Sequence, residues 1–211
     1  MSSAFAILDP SALERAPLHM EPYQFVFASG VLASAAHTSV IAHAPRVSSS
    51  GSFPLDRLTF GPAFKALIDD LESPAFREIV EAKFGIDLSE CLTTVSVRGR
   101  LSRASDGYVH TDLAEKVISV LLYLNDEWWS GNGGAIRVLR SKNLGDCALE
   151  IPPLFGNMLI FRRSERSWHG HLPCEGPRLS VQFNWVSSIR RSRQFWRHKF
   201  NFLKSSLPVR R

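Results

Sequence analysis

The chain has 211 residues, of which 45% are hydrophobic and 21% are charged, and its formal net charge is +5. These values are ordinary for a soluble globular protein, and the length suffices for one barrel with a real core. We therefore expect a single domain over residues 1–211. Three cysteines, Cys91, Cys147 and Cys174, show no Cys-x-x-Cys spacing. This argues against a disulfide framework or a zinc site and predicts reduced thiols in a cytoplasmic protein.

The N-terminal portion, residues 1–90, is predicted to support the fold. Its first residues lack the basic and apolar regions of a signal peptide. Residues 22–45 carry no Asp, Glu, Lys or Arg, but histidines, serines and a threonine interrupt them, so we expect no transmembrane span. We predict a strand at residues 24–27, a turn at Ser29-Gly30, and then an alanine-rich helix that packs on the barrel.

Two further helices are predicted from periodicity and capping residues. Residues 62–71 carry apolar side chains at helical spacing, which places them on one stripe. Ser73 as the N-cap and Pro74 at the first helical position open a second helix. That helix runs through Lys83 and ends at Gly85.

The segment of residues 91–187 is predicted to be mainly β and to form the catalytic core. Residues 117–124 are a nearly unbroken apolar run, long enough for one buried strand. A glycine-rich loop separates this run from a strand at residues 135–139. A turn at Gly156 precedes another buried strand at residues 158–161.

The last predicted strand, residues 178–186, alternates between polar and apolar side chains. Because strand side chains alternate between faces, the polar residues share one face and the apolar residues share the other. We expect the polar face to line the interior of a barrel and the apolar face to be covered by helices. The alternative is that Gln182 and Asn184 face solvent. The polar residues are Arg178, Ser180, Gln182 and Asn184; the apolar residues are Leu179, Val181, Phe183 and Trp185.

The C-terminal segment, residues 188–211, is strongly basic. It carries eight lysines and arginines from Arg190 onward and no acidic residue. Apolar residues recur at helical spacing within it, which predicts a basic amphipathic helix. We expect this helix to dock its stripe of Trp196, Phe200 and Leu203 on the barrel. The alternative is a surface for an anionic partner, such as nucleic acid, an acidic protein or phospholipid.

The residues that point to chemistry are two histidines, an aspartate and an arginine. His110 and Asp112 are two residues apart, so on an extended segment their side chains point to the same side. His169 or His171 would complete a set of two histidines and one carboxylate. Such a set occupies one face of an octahedral iron and leaves the other positions open. Arg178 could then hold the far carboxylate of a dicarboxylic cosubstrate through two parallel hydrogen bonds.

Together with Gly133-Gly134, Trp168-His169-Gly170 and Gly176-Pro177-Arg178, these residues resemble the Fe(II)/2-oxoglutarate-dependent dioxygenases of the prolyl 4-hydroxylase-like group. The resemblance covers about residues 91–187. It implies a mainly β (α+β) fold: a double-stranded β-helix, or jelly-roll barrel, with supporting N-terminal helices and a C-terminal helix.

The resemblance also implies a role for each site residue. His110, Asp112 and His169 would hold Fe(II), with His169 preferred to His171 because it stands in the family's Trp-His-Gly pattern. Arg178 would bind 2-oxoglutarate with help from Ser180. The family often places a tyrosine in the cosubstrate pocket; Tyr123 is the candidate, and the adjacent Leu122 is the alternative inward-facing residue.

The implied reaction is hydroxylation coupled to conversion of 2-oxoglutarate and O2 into succinate and CO2, with ascorbate as an optional reductant. A peptidyl proline is the leading substrate, followed by a proline-like small molecule. One alternative is a nucleic-acid-directed oxygenase that uses the basic tail, although that group usually carries a second arginine where this chain has Asn184. Another is a non-catalytic, cupin-like metal-binding barrel, which would more often show His-x-His.

Overall fold

The computed structural model describes residues 5–47, 49–99, 107–125, 133–174 and 178–187. The helices within these ranges are α1 (Pro10–Arg15), α2 (His37–His43), α3 (Pro62–Glu72) and α4 (Pro74–Phe84). The strands are β1 (Leu18–His19), β2 (Phe25–Ala28), β3 (Ser52–Pro54), β4 (Cys91–Arg98), β5 (Lys116–Tyr123), β6 (Ile136–Leu139), β7 (Cys147–Ile151), β8 (Met158–Arg162), β9 (His169–Gly170) and β10 (Ser180–Ser187). The predicted basic C-terminal helix lies outside the described residues.

The described strands form two sheets. The larger sheet has the order β1-β2-β8-β5-β10-β4-β3, and the smaller has the order β7-β6-β9. The pairings between these named strands are antiparallel. Strands that are distant in sequence are neighbours in the larger sheet, since β5 lies between β8 and β10. This interleaved, two-sheet arrangement confirms the predicted mainly β jelly roll.

The predicted helices of the N-terminal portion are also confirmed, as are the capping residues of α4. The hydroxyl of Ser73 accepts a hydrogen bond from the backbone N–H of Phe76 at 3.1 Å, as an N-cap does. Gly85 ends α4 in the left-handed region, with φ of 60°. Within the described residues, no helix combines the length and the apolar character needed to cross a membrane.

The outer face of the larger sheet is covered by helices. Phe76 of α4 packs on Phe183 and Trp185 of β10, with ring centroids 6.2 Å and 5.7 Å away. The opposite face of β10 points into the barrel, where Asn184 is buried and donates a hydrogen bond to the Thr94 hydroxyl at 3.2 Å. Gln182 lines an interior cavity. The alternative in which Gln182 and Asn184 face solvent is therefore wrong.

A buried carboxylate attaches the N-terminal segment to the helical layer. The side chain of Asp70, on α3, accepts hydrogen bonds from the backbone N–H groups of Ala6, Ile7 and Leu8 at 3.0, 2.7 and 2.9 Å. Asp70 is only 6% exposed, so these bonds are shielded from water. The amphipathic pattern of α3 does not predict this contact, because it places apolar side chains on the buried face.

We expect Asp70→Ala to lower the free energy of unfolding by about 3 kcal/mol, because three backbone donors lose a charged acceptor. Urea denaturation of the purified protein measures the change. Asp69→Ala is the matched control: its carboxylate pairs with Lys65 on the surface, so its loss should cost less than about 1 kcal/mol. Equal losses in the two variants would contradict the anchoring role of Asp70.

Candidate metal centre

Three side chains with metal-binding atoms meet beside β9. His110 lies on the segment before β5, and it forms an antiparallel bridge with His169 through two backbone hydrogen bonds of 3.0 Å each. Their rings stand 4.4 Å apart, centroid to centroid. One ligand atom from each of His110, Asp112 and His169 lies within 4.8 Å of the others. A single metal ion can therefore contact all three side chains after small rotations of these groups.

Both histidines are held in the same tautomer. The Nδ1 atom of His110 lies 2.9 Å from the carbonyl oxygen of Tyr108, and the Nδ1 atom of His169 lies 3.0 Å from that of Ser167. A carbonyl oxygen can only accept a hydrogen bond, so each Nδ1 carries a hydrogen, and Nε2 is the nitrogen that offers a lone pair when the ring is neutral. The lone pair is left on Nε2, which is the arrangement found in metal-binding histidines.

His110 and Asp112 bring their ligand atoms to one place, as their spacing predicts, although Asp112 itself lies outside the strands. Only His110 makes a bridge in this segment, and β5 begins at Lys116. The Asp112 carboxylate is oriented instead by side chains of β5. Lys116 Nζ donates to its Oδ1 at 2.8 Å, and the Ser119 hydroxyl donates to its Oδ2. Arg163 Nε donates to its backbone oxygen at 3.1 Å.

The electrostatic environment favours the protonation states that bind metal. Burial alone would raise the pKa of Asp112, but the charges of Lys116 and His169 and the hydrogen bonds from Lys116 and Ser119 outweigh it and hold this pKa well below its usual range. Burial lowers the pKa of His169 to about 4, against the opposing influence of the Asp112 carboxylate. Near neutral pH the carboxylate is charged and the His169 imidazole is neutral, as metal ligands must be.

His171 is placed differently from His169. Its backbone N–H donates to the carbonyl oxygen of Gly107 at 2.9 Å, and its Nδ1 lies 2.9 Å from the carbonyl oxygen of Leu172. Its ring packs so closely on Gly107 that a Cβ atom there would lie 2.4 Å from it. The side chain is buried and borders the same cavity as His169, outside the three-residue cluster.

The cavity continues from the histidines to a buried arginine and tyrosine. Arg178 is 4% exposed; its Nε donates to the carbonyl oxygen of Gly134 at 2.9 Å, and its Nη2 donates to the Tyr123 hydroxyl oxygen at 3.1 Å. Burial raises the pKa of Tyr123, although Arg178 and Arg98 oppose the shift, so the phenol keeps its hydrogen. That hydrogen can be donated to a ligand in the cavity.

The structure decides which residue of β5 faces this cavity. Tyr123 lies in the inner apolar cluster with Leu121, whereas Leu122 packs in the helix-covered core. Ser180 also borders the cavity, and in the register of the larger sheet it lies between Tyr123 of β5 and Arg98 of β4. All six site residues predicted from the sequence therefore lie at or around one cavity: His110, Asp112, Tyr123, His169, Arg178 and Ser180.

An asparagine at the end of β5 fixes the backbone next to Arg178. Asn125 Nδ2 donates to the carbonyl oxygens of Pro153 and Leu179 at 2.6 and 3.1 Å, and its Oδ1 accepts from the Leu179 N–H at 2.6 Å. Leu179 follows Arg178 directly, so this pattern sets where the arginine enters the cavity. A side-chain amide that makes hydrogen bonds with three backbone groups in this way holds an irregular segment in place where no strand pairing does so.

Three side chains around the site were not predicted from the sequence: Arg98, Lys116 and Ser119. Strand parity could have found two of them. Ser119 is the polar residue that shares a face with Leu121 and Tyr123, and Arg98 shares a face with Thr94 and Ser96. Lys116 stands four residues after Asp112, and outside a helix this spacing does not predict that the two side chains meet.

Comparison with known proteins agrees with this geometry. The model of the 2OG-Fe(II) oxygenase superfamily matches residues 99–186. No curated protein matches the chain. A prolyl-4-hydroxylase from Pseudomonas putida superimposes with a TM-score of 0.57 at 17% identity, covering 78% of this chain and 93% of that chain. A viral collagen prolyl hydroxylase from Paramecium bursaria Chlorella virus-1, solved with 2-oxoglutarate, gives 0.55 at 16% identity, with coverage of 78% and 96%.

A third structure is a prolyl hydroxylase from Trichoplax adhaerens in complex with a peptide fragment of the hypoxia inducible factor oxygen degradation domain. It gives a TM-score of 0.52 at 17% identity, covering 77% of this chain and 83% of that chain. At such identities the likeness is one of fold. The chain thus has the jelly roll seen in prolyl 4-hydroxylases.

Residues 99–186 therefore resemble the 2OG-Fe(II) oxygenases in sequence, and the chain shares the fold of such enzymes. Enzymes of this class use Fe(II), 2-oxoglutarate and O2. The cluster of His110, Asp112 and His169 fits an iron ion, because two neutral imidazoles and one carboxylate are the donor set of non-haem Fe(II) oxygenases.

Proposed function

We propose that the chain is a hydroxylase that holds Fe(II) between His110, Asp112 and His169. The observation that carries this proposal is that both histidines donate through Nδ1 to backbone carbonyls, so each Nε2 is left for the metal. The Asp112 carboxylate is charged and close to both rings. Three ligands on one side of an octahedral ion leave three positions for a bidentate cosubstrate and O2.

In this proposal Arg178 binds the distal carboxylate of 2-oxoglutarate. Its guanidinium is buried in the cavity that the histidines border, and one of its N–H groups already holds the Tyr123 hydroxyl in place. Tyr123 and Ser180 can each donate a hydrogen bond to the same carboxylate. Charge-assisted bonds of this kind are stronger than neutral ones, especially away from water.

The bound iron and 2-oxoglutarate supply the oxidising chemistry, which converts the cosubstrate and O2 to succinate and CO2 while the substrate is hydroxylated. The chain's own residues set the geometry of the reaction. Arg178 and the metal ligands fix the cosubstrate at its two ends. The apolar side chains of Leu121 and Ile136 border the cavity between them and exclude water.

The substrate we propose is a peptidyl proline. A proline-like small molecule is the second candidate for the same hydroxylation. The jelly roll of prolyl 4-hydroxylases supports this proposal at the level of fold. Large exposed apolar residues that lie close to the proposed ligands in sequence, of which Tyr108 borders the cavity, support a substrate with apolar surface. Tyr108, Leu113 and Leu172 are 66%, 46% and 42% exposed, and each stands within three residues of a proposed ligand.

Removing any proposed ligand should abolish metal binding. We expect His110→Ala, Asp112→Ala and His169→Ala each to lose Mn(II) binding, because the open facial site needs all three ligands. Electron paramagnetic resonance of free Mn(II) during titration measures the affinity, without turnover. His171→Ala is the control and should retain most of it. Loss in His171→Ala with retention in His169→Ala would reverse the assignment.

Arg178→Ala should leave metal binding intact and weaken 2-oxoglutarate by about 2–5 kcal/mol, the usual cost of breaking a buried charged pair. Arg178→Lys should recover part of this, since it keeps the charge without the fork geometry. Calorimetry with the Mn(II)-loaded protein under anaerobic conditions gives both values. Equal affinities in wild type and Arg178→Ala would refute the role of Arg178.

The substrate proposal is tested by product mass. The iron-loaded protein should release succinate and add one oxygen atom to a proline-containing peptide or to free L-proline, and the Asp112→Ala variant should do neither. Comparing the two probes separates a peptide substrate from a small molecule. Succinate release with no oxygen added to any proline probe would contradict the proposed substrate but not the proposed oxygenase reaction.

A further inference from the structure

The side chains that orient Asp112 form a bonded set of their own. Lys116 Nζ lies 2.8 Å from Asp112 Oδ1, and the Ser119 hydroxyl donates to Oδ2. Each carboxylate oxygen therefore holds one hydrogen bond before a metal arrives. Both charged side chains are largely shielded from water, with exposures of 10% for Lys116 and 11% for Asp112.

The backbone of Asp112 is held by a hydrogen bond from the Arg163 side chain and not by strand pairing. Asp112 precedes the first residue of β5 by four positions and has no strand partner of its own. Lys116 and Ser119, in contrast, are fixed in the sheet: Lys116 lies opposite Val186 of β10, and Ser119 lies opposite Asn184. Between Asp112 and Lys116 the chain makes a turn, in which the Lys116 N–H donates a hydrogen bond to the Leu113 carbonyl oxygen at 3.1 Å. This turn brings the lysine side chain back to the Asp112 carboxylate.

We propose that Lys116 and Ser119 are positioning residues for the metal centre, a proposal that rests on the function proposed above. By donating one hydrogen bond to each oxygen of Asp112, they fix the plane of the carboxylate beside the two histidine rings, where it would serve as a ligand. Lys116 acts here through Asp112 and does not itself contact the metal.

The effect of deleting Lys116 distinguishes positioning from simple charge. An ammonium group repels a nearby dication, so at a pH where the Asp112 carboxylate stays ionised in the variant, the removal of Lys116 would tighten metal binding if the lysine acted only through its charge. If Lys116 orients the ligand, its removal weakens metal binding despite the lost repulsion. A buried ion pair gains little stability over apolar residues of similar volume, which also favours a geometric role for this pair.

The test is Mn(II) affinity measured by electron paramagnetic resonance in the absence of 2-oxoglutarate. We expect Lys116→Met to weaken Mn(II) binding by about 10–100-fold, the usual effect of losing a group that orients a metal ligand. Lys116→Arg should recover most of the affinity, because it can donate to the same oxygen. Lys65→Met is the matched control: it removes a lysine from another i,i+4 pair with aspartate, on the exposed surface of α3, and should change nothing.

Thermal melts with a chelator show whether each variant is folded. If Lys116→Met does not fold, Ser119→Ala decides, since it removes the second bond and keeps the charge pair; we expect it to weaken Mn(II) binding as well. Unchanged or tighter binding in a folded Lys116→Met, or unchanged binding in Ser119→Ala, would overturn the inference. Failure of the proposed function looks different: Asp112→Ala would then bind Mn(II) as well as wild type does.

Discussion

The pair of backbone hydrogen bonds between His110 and His169 is the contact on which the metal centre depends. His110 belongs to the segment that leads into β5 of the larger sheet, and His169 belongs to β9 of the smaller sheet. The bridge therefore joins the two sheets at one place and puts their two imidazoles 4.4 Å apart. The bridge thus fixes the backbones that carry both imidazoles relative to each other.

The second constraint is that charged groups are buried around a narrow cavity. A charge taken out of water is costly unless it is paired or hydrogen-bonded. Asp112 is compensated by Lys116 and Ser119, and Arg178 by Gly134 and Tyr123. The two sets use different partners, so the Asp112 end and the Arg178 end of the site are held by separate hydrogen bonds. This polar site stands inside a barrel whose outer face is apolar and covered by helices.

Much of the fold could be predicted from the sequence because its strands and helices have clear periodicity. The apolar run of β5 and the alternation of β10 can be recognised from consecutive residues alone. Ser73 and Gly85 likewise mark the two ends of α4. The short edge strand β7 was missed because its side chains are half-exposed and lack alternation.

The identities of the site residues could be predicted from the sequence, but the contacts that orient their side chains could not. The His-x-Asp spacing predicts that the two side chains point to one side, but it does not predict that Lys116 and Ser119 of β5 orient the Asp112 carboxylate. Contacts between segments far apart in sequence, such as Asp70 with the N-terminal backbone, leave no periodic pattern. For the nucleic-acid alternative, the expected second arginine is replaced by Asn184, which is buried and bonded to Thr94.

The central claim is that one cavity binds a metal at the histidines and a dicarboxylate at Arg178. Anomalous diffraction from crystals grown with Mn(II) and 2-oxoglutarate under anaerobic conditions tests it most directly. We predict an anomalous peak bonded to Nε2 of His110, Nε2 of His169 and one oxygen of Asp112, with the distal carboxylate of 2-oxoglutarate on Arg178. A metal peak on His171, or a cosubstrate whose carboxylate lies away from Arg178, would contradict the account.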